Sequence, residues 1–100
     1  MFEFNGKTYE LIKNYREGFS YEEVEEKFTD YFDCFDYVFG DWAYGKLRLK
    51  GFYDSDNKNV KEFNDVKNLD NYIKENCAVD CKHFLLKKFD EKLKDKNIQS

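Results

Sequence analysis

Two cysteines and the only histidine of the chain lie close together near its end, as Cys77, Cys81 and His83. Together with Cys34 they offer three thiolates and one imidazole, a donor set that zinc accepts. Their spacing is not that of the usual paired zinc knuckle, and unpaired cysteines are among the residues most often buried. We therefore expect all three cysteines to be reduced and metal-free, and we expect no cofactor.

Nucleophilic catalysis has few candidate residues in this sequence. Cys81 and His83 are two positions apart and could share one face of a strand, but a catalytic cysteine also needs an orienting group and a pocket. The three serines lie at a predicted helix cap, in a polar loop and at the last position of the chain. The sequence contains no glycine-rich phosphate loop. We therefore interpret the protein as non-enzymatic.

The richest set of candidate binding residues lies between positions 36 and 54. Lys46, Arg48 and Lys50 alternate with two leucines, which places the cations on one face of a strand and the leucines on the other. The leucines predict a core on their side of the strand. The candidate binding residues of this segment are Asp41, Trp42, Tyr44, Lys46, Arg48, Lys50 and Phe52.

Two kinds of partner fit this segment. Trp, Tyr and Arg are the residue types most often found at the hot spots of protein interfaces, which favours a protein partner. Cations interleaved with rings on a sheet can also bind phosphates and stack on bases, so the Lys46/Arg48/Lys50 face is an alternative site for nucleic acid. Trp42 and Tyr44 would supply the rings of that site. A solvated face whose charges discourage aggregation of the sheet would have the same pattern.

Composition and charge narrow the choice of function. Aromatic residues make up 20% of the chain, with 11 Phe and 8 Tyr, so large rings must fill most of the core. The net charge is −4, and residues 1–45 carry 4 Lys and Arg against 11 Asp and Glu, which disfavours non-specific binding of nucleic acid. No apolar run is long enough to span a membrane, and no signal peptide is apparent. We expect a cytoplasmic protein with reduced cysteines and no membrane contact.

The first half of the chain predicts a hairpin followed by a helix. Asn5-Gly6 is a favoured pair for a two-residue turn, and this turn would pair Phe2 with Tyr9. Ser20 and Glu23 have the spacing of a capping box. Apolar residues then recur every three or four positions, so one long helix should span about residues 20–35.

The second half predicts the rest of an antiparallel sheet. Residues 37–39 and the alternating segment after Gly45 should form a hairpin around a glycine-flanked loop that begins at Gly40. Residues 69–77 predict a short helix, and residues 83–89 have apolar side chains on both sides, which is typical of a central strand. The expected fold is α+β: a single domain over residues 1–89, with an antiparallel sheet of hairpins and one long and one short helix packed on it. Residues 90–100 should form a charged, flexible tail.

The segment DYVFGDWAYGKLRLKGF resembles the YutD-like proteins of low-GC Gram-positive bacteria. The resemblance extends from Tyr9 to Lys88 and includes the Cys77-x-x-x-Cys81-x-His83 segment. It implies a small α+β domain of uncharacterised function, and the label transcriptional regulator is attached to some members. The family usually has a tyrosine at the position of His83, which argues against a role that depends on the histidine.

These observations together predict an uncharacterised small cytoplasmic module for binding or regulation. It would act through a protein partner whose identity the sequence does not indicate. The alternative is a nucleic-acid-binding protein, similar to a transcription regulator, that uses the basic strand face with Trp42 and Tyr44.

Overall fold

The chain forms strands and helices in the proportion expected of an α+β domain. A computed structural model describes residues 1–77 and 80–89. Its strands are β1 (Phe2–Phe4), β2 (Lys7–Tyr15), β3 (Tyr37–Ala43), β4 (Lys46–Phe52) and β5 (His83–Lys88). Its α-helices are α1 (Tyr21–Lys27) and α2 (Leu69–Asn76), and 3-10 helices span Asp30–Cys34, Glu62–Asn64 and Val66–Asn68. The predicted tail at residues 90–100 lies outside the described residues.

The five strands form one antiparallel sheet in the order β1-β2-β5-β3-β4. This confirms the predicted fold class, and it places β5 in the centre, as its apolar side chains on both faces indicated. β1 and β4 are therefore the two edge strands of the described sheet. None of the helices in the described ranges is long and apolar enough to cross a membrane.

The first hairpin has the predicted turn and register. Asn5 and Gly6 both adopt positive φ, at 52° and 78°, as the favoured two-residue turn requires. Phe2 pairs with Tyr9 across β1 and β2. The predicted hairpin is therefore confirmed. Its register was predictable because the type of turn fixes which residues face each other.

The second hairpin has longer strands than the sequence predicted. The prediction of a glycine-flanked loop from Gly40 to Gly45 is wrong, because β3 continues through Ala43 and the turn contains only Tyr44 and Gly45. Gly40 lies inside the strand, where a Cβ atom would overlap the ring of Phe84. This glycine therefore marks close packing in the sheet rather than a turn.

The predicted long helix over residues 20–35 is also wrong. Helix α1 ends at Lys27, Phe28 and Thr29 are extended, and a 3-10 helix follows. Asn5 donates hydrogen bonds from Nδ2 to the carboxylates of Asp30 and Asp33, at 2.8 to 3.1 Å, and so ties the second segment to the first hairpin. Such tertiary contacts readily outweigh helix propensity, which differs by less than about 1 kcal/mol for ordinary residues.

The beginning of α1 also differs from the prediction. Ser20 is the N-cap by position, but its side chain makes no capping hydrogen bond, so the predicted capping box is absent. The apolar stripe is nevertheless retained across the break: Val24 and Phe32 are buried, and Phe28 packs beside them. Burial of this stripe, rather than the cap, holds the segment on the sheet.

The sheet is covered on both faces. On one side, which we call the aromatic face, α1 and the 3-10 helix at Asp30–Cys34 lie over a core of ten buried residues. These are Phe4, Tyr9, Val24, Phe32, Phe35, Val38, Leu47, Tyr53, Phe84 and Leu86. Leu47 belongs to this core and Leu49 packs against it, which confirms the predicted apolar side of β4.

The opposite side, which we call the α2 face, has a smaller core. It consists of Phe39, Phe52, Leu69 and Leu85, with Tyr72, Ile73 and Cys77 packed against it. The short helix predicted over residues 69–77 is confirmed, and one side of it packs on this core. The basic residues of β4 therefore project to a face that a helix partly covers.

Candidate functional site

A buried carboxylate, Asp41, lies on the α2 face near the end of β3. It is 2% exposed and directly opposite Arg48 in the register of β3 with β4. Arg48 Nε donates to Oδ1 at 3.2 Å, and Nη2 donates to Oδ2. Nη2 also lies 3.2 Å from the carbonyl oxygen of Asn76 at the end of α2. The hydrogen bonds to Asp41 raise the pKa of Arg48. Through its contacts with Asp41 and Asn76, Arg48 joins β4 to β3 and to α2.

Two cysteines converge on the same carboxylate. Cys77 Sγ lies 3.0 Å from Asp41 Oδ2 and donates to it. The sulfurs of Cys77 and Cys81 and a carboxylate oxygen of Asp41 all lie within 4.8 Å of one another. Burial, and then the neighbouring carboxylate, raise the pKa of the Cys77 thiol, so it is protonated as hydrogen-bond donor.

His83 lies beside this cluster. It is the partner of Asp41 in the register of β5 with β3, and its ring stacks on Tyr15 at 4.8 Å. Nδ1 lies 3.0 Å from the carbonyl oxygen of Cys81, which can only accept, so Nδ1 carries the proton. Nε2 is buried and has no hydrogen-bond partner among the described residues. Burial lowers the pKa of His83, and the imidazole is therefore neutral with a bare lone pair on Nε2.

Cys34 is not part of this cluster. Its Sγ contacts the carbonyl oxygen of Tyr31 at 3.6 Å and the hydroxyl of Tyr53 at 3.5 Å, next to the aromatic face. The hydrogen bond to Cys34, followed by burial, raises the pKa of Tyr53 to about 12. The Cys34, Cys77, Cys81 and His83 set considered from the sequence therefore does not come together.

Trp42 projects to the aromatic face, away from Arg48. Its Nε1 donates to the carbonyl oxygen of Gly18 at 2.7 Å, and Lys82 Nζ lies 4.7 Å from the centre of its ring. The indole is half-buried against the core. These contacts indicate that Trp42 anchors the loop after β2 to the sheet.

Lys50 and Phe52 lie on the α2 face, and their side chains also make internal contacts. Phe52 is buried in the core. Lys50 Nζ lies 5.1 to 5.6 Å from the ring centres of Phe52, Phe63 and Tyr72. Burial lowers the pKa of Lys50. Of the candidate binding residues predicted from the sequence, Tyr44 and Lys46 remain open to solvent without a described polar contact.

Along the edge of β4, several backbone groups have no partner within the described residues. Alternate residues of an edge strand direct N–H and C=O groups away from the neighbouring strand. Tyr53 does so just after β4 and bonds Asn64 and Val66, at 2.7 and 3.0 Å. Every second residue of β4 directs its backbone groups to the same side as Tyr53. These residues are Leu47, Leu49 and Gly51. Their outward groups have no backbone partner in the described part of the chain.

A groove of about 470 Å³ runs along this edge. β4 residues 49–51 line one side of it, and Asn59, Lys61 and Phe63 line the other. Phe63 and Tyr31 border the groove, and both side chains are 67% exposed. The sequence prediction missed these two rings, because neither lies in the alternating strand. Phe63 stands out only as a ring in an otherwise polar loop.

The fold and the site define a small α+β domain whose second hairpin carries an ion pair between the buried Asp41 and Arg48. The family model "Putative antitoxin YutD-like" matches residues 3–87, and the chain belongs to this family. A relative from Bacillus subtilis (strain 168), "Putative antitoxin YutD", is 40% identical over 80% of this chain and 88% of its own length. The solution NMR structure of protein YutD from B. subtilis is similar with a TM-score of 0.67, at 40% identity, over 81% of this chain and 74% of that one.

Proposed function

We propose that this protein is a cytoplasmic, non-enzymatic binding module that works as an antitoxin, by attaching to a partner protein and blocking it. The name of the B. subtilis relative, "Putative antitoxin YutD", supports a protein partner. The observation that carries the proposal is the edge of β4, where the outward backbone groups at Leu47, Leu49 and Gly51 have no backbone partner among residues 1–77 and 80–89.

The partner segment pairs with this edge as a sixth strand. Addition of an extended peptide to an open sheet edge satisfies backbone groups on both molecules and is a recurring mode of recognition. Tyr53 is an example of such pairing within the chain, because its backbone forms a parallel bridge with a second segment at Asp65. The groove beside residues 49–51 provides room for one more strand.

The side chains around the edge indicate the chemistry of the partner. Lys61 is exposed and lines the groove, and Lys46 is exposed at the other end of β4. These cations favour an extended segment that carries acidic residues. The exposed rings of Tyr31 and Phe63 offer apolar contact on either side of the added strand.

The cation face is less suited to nucleic acid than its sequence implied. Arg48 is neutralised by Asp41, and Lys50 lies over three rings. Binding to phosphate would require these cations to give up internal contacts. We therefore favour the protein partner.

The test compares two variants at Leu49. Leu49→Pro removes the outward N–H, whereas Leu49→Ala removes the same side chain and keeps the N–H. Each variant and the wild type are crosslinked in the native cytoplasm, with and without nuclease, and the captured partner is then titrated against each purified chain. We expect wild type and Leu49→Ala to bind, and Leu49→Pro to bind about tenfold more weakly or worse, since a loss of about 1.4 kcal/mol corresponds to tenfold.

Unfolding curves for both variants serve as the control, because they separate lost binding from lost structure. Equal binding by Leu49→Pro and Leu49→Ala would exclude strand addition at β4. Capture that disappears after nuclease treatment would favour the nucleic-acid alternative instead.

A further inference from the structure

We propose that Asp41, Cys77 and Cys81 form a binding site for Zn²⁺. The two sulfurs and a carboxylate oxygen converge within 4.8 Å of one another. The sequence spacing had favoured metal-free thiols, but that expectation considered Cys34 as a ligand. The folded chain replaces Cys34 with Asp41, a residue that the cysteine spacing could not indicate.

The donor set suits zinc in both type and charge. Thiolates and carboxylates are common zinc ligands, and two cysteines separated by three residues fall within the spacing seen in zinc sites. Zn²⁺ displaces the two thiol protons to solvent. The resulting two thiolates and one carboxylate carry three negative charges, which Zn²⁺ and the adjoining guanidinium of Arg48 together cancel. The site can therefore bind the metal without leaving a net charge in a partly buried position.

The surrounding residues complete the site. Arg48 holds the Asp41 carboxylate through two hydrogen bonds, as a neighbouring group commonly orients a metal ligand. Cys77 follows α2 and Cys81 precedes β5, so a bound ion would fasten these two elements to β3. A cleft of about 190 Å³ reaches Cys81, one of the three proposed ligands, and is the side from which the metal and a water molecule as fourth ligand would enter.

The test uses the full chain, purified without chelator and with a reductant that is not a thiol. Zinc is measured by elemental analysis, and Co²⁺ replaces it to give a thiolate-to-cobalt absorption band. We expect one ion per chain in the wild type and in Cys34→Ser, the matched control away from the cluster. Cys77→Ser and Cys81→Ser should bind at least about tenfold more weakly, because changes even to residues that only support a metal ligand commonly cost 10- to 100-fold in affinity.

A second measurement keeps the test valid if these variants fold poorly. Added Zn²⁺ should protect Cys77 and Cys81 of the wild type from alkylation and leave Cys34 as reactive as before. The site is refuted if the folded, reduced wild type shows neither stoichiometric zinc nor a cobalt band. It is equally refuted if Cys34→Ser loses the metal to the same extent, or if Zn²⁺ fails to protect the pair. These results do not depend on partner capture through β4, so the two proposals can fail separately.

Discussion

The two faces of the sheet differ in what their buried residues do. The core of the aromatic face contains ten residues, all apolar or tyrosine, and its rings contact one another, as Phe35 with Tyr53 at 4.8 Å and Phe4 with Tyr9 at 6.0 Å. The core of the α2 face has four apolar residues beside a buried carboxylate, an arginine, two cysteines and a histidine. Apolar burial is non-directional, whereas polar groups in a core require specific partners. We infer that the aromatic face supplies most of the stability and the α2 face carries the chemistry.

The largest expected effect tests the role of the aromatic face. Phe84 is fully buried there, with its ring against Gly40 and Phe19. Phe84→Ala should destabilise the protein by about 3–5 kcal/mol, because it removes a large ring and leaves a cavity. Denaturant unfolding of this variant measures the change. A loss below about 1 kcal/mol would show that the aromatic face is not the main core.

The next effect tests the polar pair of the α2 face. Arg48→Ala leaves the carboxylate of Asp41 buried without a cation, so we expect a loss of about 3 kcal/mol. Asp41→Asn should cost only about 1 kcal/mol, because the Arg48 side chain is 47% exposed and can turn to water. Equilibrium unfolding of both single variants and of the double variant completes the cycle. Equal costs for the two single changes would contradict the asymmetry in burial.

The parts of the fold that the sequence predicted are those set by neighbouring residues. The turn at Asn5-Gly6 fixes its own hairpin, and the two-sided apolar pattern of β5 requires a central position. The break after Lys27 was not predictable in the same way. It involves hydrogen bonds from Asn5 to carboxylates more than twenty residues away, and no local pattern contains that contact.

The candidate site was predictable in part. Asp41 and Arg48 are equally distant from the Tyr44-Gly45 turn, so a correct turn would have paired them directly. Gly40 obscured this pairing, because a glycine at that position suggested the start of a loop. In the structure this glycine instead makes room for the ring of Phe84. The approach of Cys77 and Cys81 to Asp41 depends on how α2 docks, which is a tertiary property.

A smaller effect concerns Trp42, a residue of the aromatic face whose substitution should change stability but not partner binding. Trp42→Phe keeps a ring against the core but removes the hydrogen bond to Gly18, so it should cost about 1 kcal/mol. Binding of the partner at β4 should not change, because Trp42 is not among the residues that line the groove. Thermal unfolding and partner titration measure the two quantities. Weakened binding by a fully stable Trp42→Phe would assign the tryptophan to the interface instead.

The smallest effect compares the turns of the two hairpins. Tyr44 has a φ of 55° and is fully exposed, whereas Asn5 adopts nearly the same angle in the first hairpin. Asparagine tolerates this conformation far better than tyrosine, so Tyr44→Asn should stabilise the protein by about 0.5–1 kcal/mol. Unfolding measurements check this value, and Gly45→Ala, at a φ of 76°, is the destabilising control.

An unfavourable residue at an exposed turn suggests that tyrosine serves binding rather than folding. If Tyr44 contacts the partner beside the β4 edge, Tyr44→Asn should weaken that binding while it raises the unfolding temperature. A higher unfolding temperature together with weaker binding would place the turn within the interface. A change at a purely structural residue would instead shift stability and affinity in the same direction. A variant that is more stable and binds as well as wild type would confine the interface to the edge and groove of β4.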